Sequence, residues 1–131
     1  MMTTVMLLLA ANPSLEVTIT GLASDAGEVR LAVFSSREGW PERDELAVRR
    51  VALKIVRGRA TVKLDDLPAG TYAAIAFHDA DGDGKLKKGL FGAPQEAWGA
   101  SNGARAALGP KFEAAAFVVQ GDTRISFAVE G

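Results

Sequence analysis

From Leu15 the chain alternates apolar and polar positions with a period of two: Leu15, Val17 and Ile19 are interleaved with Glu16, Thr18 and Thr20. Such alternation marks a strand with one buried face. The signature recurs at Val29, Leu31 and Val33, and again at Val51, Leu53 and Ile55. Arg57 and Gly58 then turn the chain into Ala60, Val62 and Leu64, so these two runs read as a hairpin. Tyr72 to Phe77 is apolar in both phases, which predicts a central strand. Ala115, Phe117 and Val119 lead through Gly121 and Asp122 into Ile125, Phe127 and Val129, a second expected hairpin. Glu113 to Val119 has helical propensity, but Val118 and Val119 before a Gly-Asp turn favour strand.

These runs predict an all-β fold: an antiparallel seven-stranded β-sandwich, with one long loop between the fifth and sixth strands. Val17, Ile19, Leu31, Val33, Leu53, Val62, Leu64, Ile75, Phe117, Ile125 and Phe127 hold the apolar phase and form the expected core between two sheets. Pro68 and Gly70 make a corner that Tyr72 caps by bonding backbone, as in a tyrosine corner. Residues 36–48 interrupt the pattern as an excursion over one end of the sandwich, where Pro41, Glu42 and Asp44 open a single helical turn.

Before Ser14 the alternation is absent. Met1 to Ala11 is an apolar run too short to span a bilayer, and it reads as a signal-peptide core or a disordered N-terminus ahead of a 14–131 sandwich domain. The expectation is an exported chain, periplasmic or extracellular, with a mature end near Asn12. Against it stand the lack of Lys or Arg before Val5 and an imperfect cleavage site at Ala10, Ala11 and Asn12.

Composition narrows the function classes. With 15 Lys and Arg against 16 Asp and Glu, and no basic cluster interleaved with aromatics, nucleic acid is not an expected partner. The absence of cysteine removes disulfides, thiolate metal sites and cysteine nucleophiles. No stretch reads as an integral membrane span.

Candidate chemistry concentrates in residues 79–111, a connection rich in glycine and longer than compact domains ordinarily contain. Leu86, Leu90, Phe91, Trp98, Leu108 and Phe112 give it apolar anchors for folding back onto the sandwich. Asp79, Asp81 and Asp83, with Gly84 and Leu86, reproduce the first half of a calcium loop. Lys87 and Leu90 then occupy positions where ligands are required. The run is read either as a Ca2+ site or as an acidic turn whose carboxylates bond their own backbone. His78 is the only histidine, and with Asp79 and Ser101 it makes a paper triad without a nucleophile elbow; a histidine bonded to a loop carbonyl is the competing role. Glu96, Trp98, Ser101 and Asn102, with His78, are the candidate ligand-binding set for a carbohydrate, a peptide or another envelope protein. The alternative is that Trp98 pins the loop while Ser101 and Asn102 make turn hydrogen bonds.

The succession DLPAGTYA, FHDADGDGKL, FGAPQEAWGASN and GPKFEAAAF resembles the bacterial family called domain of unknown function 2141. The resemblance covers almost the whole chain after the apolar leader. It implies an exported β-sandwich, distantly similar to transthyretin-like and carboxypeptidase-regulatory-like modules, with no established activity. The family's glycine, proline and glutamate positions match Gly92, Pro94 and Glu96, its aromatic-Gly-x-Ser-Asn stretch matches Trp98 to Asn102, and its Phe-Glu pair matches Phe112 and Glu113. Lys87 departs from the acidic residue usual in the family. Function is therefore expected to be a binding or structural module of the cell envelope with the 79–111 loop as contact surface; the rivals are a calcium-stabilised domain and a hydrolase using loop carboxylates and His78.

Overall fold

The computed structural model describes residues 12–80, 97–106 and 109–130. Met1 to Ala11, Asp81, Asp83 and Glu96, and with them the expected signal segment and most of the acidic loop, lie outside the described residues.

Among the described residues, eight strands lie in two sheets. The smaller sheet has the order β4-β1-β8, built from β1 (Leu15–Thr20), β4 (Ala60–Leu64) and β8 (Thr123–Ala128). The larger runs β3-β2-β5-β6, with β2 (Glu28–Phe34), β3 (Arg49–Lys54), β5 (Gly70–Asp79) and β6 (Trp98–Ala100), and β7 (Phe117–Val119) also pairs with β5. A helical turn, α1 (Phe112–Ala115), precedes β7. The chain is thus all-β, as the alternation requires. The pairings are antiparallel except β1 with β8, which run parallel with Leu15 opposite Thr123. That pair departs from the expected wholly antiparallel arrangement.

Neither expected hairpin forms a ladder. Arg57 and Gly58 both have positive φ (55° and 74°), the requirement of a type I′ turn, and Val56 bridges Arg59 across it. Beyond that bridge β3 enters the larger sheet and β4 the smaller. Leu53, Ile55, Ala60 and Leu64 all turn inward to one core, so the strands diverge onto opposite sides of it. The Gly121-Asp122 turn behaves likewise: β7 pairs with β5 and β8 with β1.

Of the expected core, Val17, Ile19, Leu31, Val33, Leu53, Leu64 and Phe127 are buried together between the sheets, and Val62, Phe117 and Ile125 are half-buried against them. Ile75 is buried elsewhere. It faces the outer side of the larger sheet, in a second apolar cluster with Ala32, Phe34, Ala73, Trp98, Ala100, Ala104 and Ala115. β5 is apolar in both phases because it serves two cores: Tyr72, Ala74 and Ala76 face inward, and Ala73 and Ile75 outward.

Residues 36–48 cover part of that outer face and contain a 3₁₀ turn at Asp44–Leu46. Trp40 meets Phe34 edge-on at 5.3 Å and Phe112 at 6.0 Å, and its indole N–H donates to the Pro110 carbonyl at 2.8 Å. The Trp40-Pro41 peptide is cis. At the corner before β5, the Tyr72 hydroxyl donates to the Pro68 carbonyl, the tyrosine corner expected from the sequence. Among the described residues no helix is long and apolar enough to cross a membrane.

Candidate functional site

β5 ends in His78 and Asp79, and strand geometry sends these neighbours to opposite faces. His78 is 6% exposed. Its Nε2 lies 2.7 Å from the Ala26 carbonyl, so Nε2 carries the proton and donates. The ring thereby fastens the 25–27 turn to the end of β5. Gly27 makes this approach feasible: a Cβ there would lie 2.0 Å from the Asp79 carbonyl oxygen. Asp79 is fully buried, with the Arg30 guanidinium Nε 3.5 Å from its carboxylate, and Arg30 also pairs with Glu28.

Ser101 and Asn102 follow β6 in a tight turn. The Ser101 hydroxyl is 1% exposed; it accepts the Ala74 N–H at 3.0 Å and donates to the Ala115 carbonyl at 2.6 Å. Asn102 adopts φ 63°, and its amide donates to the Ala116 carbonyl at 2.8 Å. Ser101 thus ties the end of β6 to β5 and to α1, and Asn102 ties it to the segment carrying α1 and β7. Trp98 is 3% exposed, with the Arg105 guanidinium stacked 4.0 Å from its ring centroid and Arg105 Nη1 donating to the Trp98 carbonyl at 2.8 Å. The face of the indole is occupied from within.

The paper triad is not assembled. Ser101 sits beside Ala74, four residues along β5 from His78, a strand distance of about 13 Å. Its hydroxyl is held by backbone, and Asp79 points away from the imidazole. Among the described residues no three His, Asp or Glu side chains converge on a metal position.

A concavity does exist on the outer face of the larger sheet. It encloses about 680 Å³ and is lined by Arg30, Ala32, Arg50, Ala52, Ile75, Phe77 and Trp98, with Pro41, Glu42 and Asp44 forming a wall. The register explains it. Arg50 lies opposite Ala32, which lies opposite Ile75; Ala52 lies opposite Arg30, then Phe77, then Trp98. Alanine at Ala32 and Ala52 leaves the floor low, and the two arginines stand on its diagonal. Arg50 Nη1 is 3.9 Å from Asp44 and both are exposed, so the wall and floor are joined by a weak pair. Just behind the wall, Glu45 titrates below the ordinary carboxylate range because its own backbone N–H bonds it, with the Arg43 side chain adding to this.

Of the sequence candidates, the described structure brings only Trp98 to this groove. Arg30, Ala32, Arg50 and Ala52 were not singled out by the sequence. Their outward phase is readable from the alternation, but the lateral register that gathers them is not.

No curated protein and no solved structure matches the chain. The model of one bacterial family, described as "Uncharacterized protein conserved in bacteria (DUF2141)", matches residues 17–126, from the first core strand to the last. The match spans both sheets, the groove and the connection that carries the candidate residues, and the chain therefore belongs to that family.

Proposed function

We propose that this protein is an exported, non-catalytic β-sandwich module of the bacterial envelope that binds a ligand in the groove on the outer face of its larger sheet, with the adjoining 79–111 connection as part of the contact surface. The observation that carries the proposal is the groove itself. Its volume of about 680 Å³ falls in the range of ligand sites, and it combines an apolar floor with two arginines and two carboxylates. Meanwhile the engagement of His78, Ser101 and Asn102 by backbone carbonyls supports a binding reading over a hydrolytic one that would use these three side chains. The Arg30 guanidinium stands 3.5 Å from the Asp79 carboxylate; Asp81 and Asp83, which a calcium site would also need, lie outside the described residues, and the proposal is built without the metal.

A carbohydrate or peptide of the envelope is the proposed class of ligand. Calorimetric titration with a panel of cell-wall glycan fragments and envelope peptides tests it, using the natural protein and Ala52→Phe. Ala52 is exposed, so the larger ring fills the groove without entering the core. Binding by the natural protein that is lost in Ala52→Phe is the expected result. Binding unchanged by Ala52→Phe, or absent across the panel, would overturn it. Export is tested separately by N-terminal sequencing of protein from the native envelope, where a start near Asn12 is expected and an intact Met1 contradicts it.

A further inference from the structure

Charge is unevenly distributed along the chain. Six of the 15 basic residues, Arg49, Arg50, Lys54, Arg57, Arg59 and Lys63, fall within residues 49–63, which contain no Asp or Glu. The remaining nine face all 16 acidic residues. The fold converts this segment into one lateral edge of the molecule: β3 is the outermost strand of the larger sheet, β4 of the smaller, and the Val56-Arg59 bridge joins them at one end. Arg50 and Lys54 project onto the outer face of one sheet, and Lys63 is exposed on the other side of the sandwich. Arg57 and Arg59 are exposed at the connecting turn.

Lysine and arginine on an edge strand protect against unwanted pairing. That role does not account for the apolar residues at both ends of the strip. Leu46 and Val48 are 40% and 41% exposed just before β3, and Val56 is 55% exposed just after it. We propose that this edge is a docking surface for the anionic headgroups of a lipid membrane, with basic side chains contacting phosphates and Leu46, Val48 and Val56 entering the headgroup boundary.

The disposition of the charges favours a lipid surface over an acidic peptide added as a strand. An added strand would match alternate side chains of β3 alone, whereas these cations splay to both sides of the edge. Arg49 also bridges the gap, its Nη2 donating to the Asp65 carbonyl at 3.2 Å and the Asp66 carbonyl at 3.0 Å. Asp44 beside Arg50 and Asp65 beside Lys63, each at 3.9 Å, temper the field. The Asp25 carboxylate, which accepts the Arg57 and Gly58 N–H groups at 3.0 and 2.8 Å, and Glu28 opposite Lys54 temper it further. Lys54, Arg57 and Arg59, which make no side-chain ion pair among the described residues and are not bonded to carbonyls as Arg49 is, are the cations left to meet a headgroup. This inference goes beyond the groove, whose Ala52→Phe variant leaves the edge charges intact.

Co-sedimentation of the full chain with phosphatidylglycerol-rich vesicles tests it, against phosphatidylcholine vesicles and soluble poly-glutamate. The natural protein is expected to partition onto the anionic vesicles at low salt and to be released as screening shortens the reach of its charges. Each cation removed should lower partitioning about fivefold. The triple variant Lys54→Gln, Arg57→Gln, Arg59→Gln, checked for native folding by its thermal unfolding, should therefore lose binding, while Arg124→Gln on β8 should keep it. Equal binding to neutral vesicles, or binding unchanged in the triple variant as attachment by the N-terminal apolar run would give, overturns the proposal. So does tighter binding to poly-glutamate than to vesicles, which would assign the edge to an acidic protein.

Discussion

The two lateral edges of the molecule differ in how they are finished. On one, Trp98 of β6 and Glu130 beyond β8 exchange two backbone hydrogen bonds, 3.0 and 2.9 Å, which stitch the larger sheet to the smaller. Gly99 lets the backbones meet there: a Cβ would lie 1.9 Å from the Ala128 carbonyl oxygen. On the other, β3 and β4 are joined among the described residues by the Val56-Arg59 bridge and the arms of Arg49. One edge is closed with small residues and backbone pairing. The other is left open and guarded by long cations. Closure supplies rigidity, and the open edge supplies surface.

Breaking the closed edge should have the largest effect. Gly99→Val forces β6 away from β8, because the obstacle is backbone and cannot swing aside; a loss of about 3 kcal/mol or more in denaturant unfolding is expected. Full stability would show that the stitching is incidental. Next comes Ser101→Ala, which leaves the buried Ala74 N–H and Ala115 carbonyl without their hydroxyl partner and should cost about 1–3 kcal/mol.

On the open edge, the paired change Lys54→Thr and Lys63→Thr should alter stability by no more than about 0.5 kcal/mol, since both side chains are exposed. Its effect should emerge as concentration-dependent association in sedimentation, once the cations that deter strand pairing are gone.

The comparison also shows how far the sequence could be read. Alternation located every long strand, and the turn at Arg57-Gly58 has the geometry its residues announce. What alternation cannot carry is the choice of partner: each strand needs only one apolar face, and the same face serves a ladder or a crossing to the opposite sheet. Hence both expected hairpins became crossings. β6 escaped notice because three residues are too few to show a period. Ile75 was assigned to the wrong core because a strand apolar on both faces does not say which face is which. For the candidate site, the polar side chains of His78, Ser101 and Asn102 were visible as residues, but their commitment to distant carbonyls depends on the fold.

The smallest expected effect concerns the β1–β8 pair on the closed side of the smaller sheet. The Asp122 carboxylate accepts the Ser14 N–H at 2.9 Å, and this bond holds its pKa below the ordinary value. A depressed native pKa stabilises the fold above the unfolded value, about pH 4, and that contribution is lost as pH falls through the native one. Asp122→Asn can still accept the bond but does not titrate. The acid limb of its stability curve should therefore be shallower than that of the natural protein.

Native-state hydrogen exchange tests the contrast between the edges most directly. The Trp98 and Glu130 amides, bonded to each other across the closed edge, should be protected to nearly the same degree as the central strand β5. The β3 and β4 amides that lack a ladder partner should exchange far sooner. Exchange of Trp98 and Glu130 ahead of β3 and β4 would contradict the account, since the edge taken as sealed would then be the one that opens.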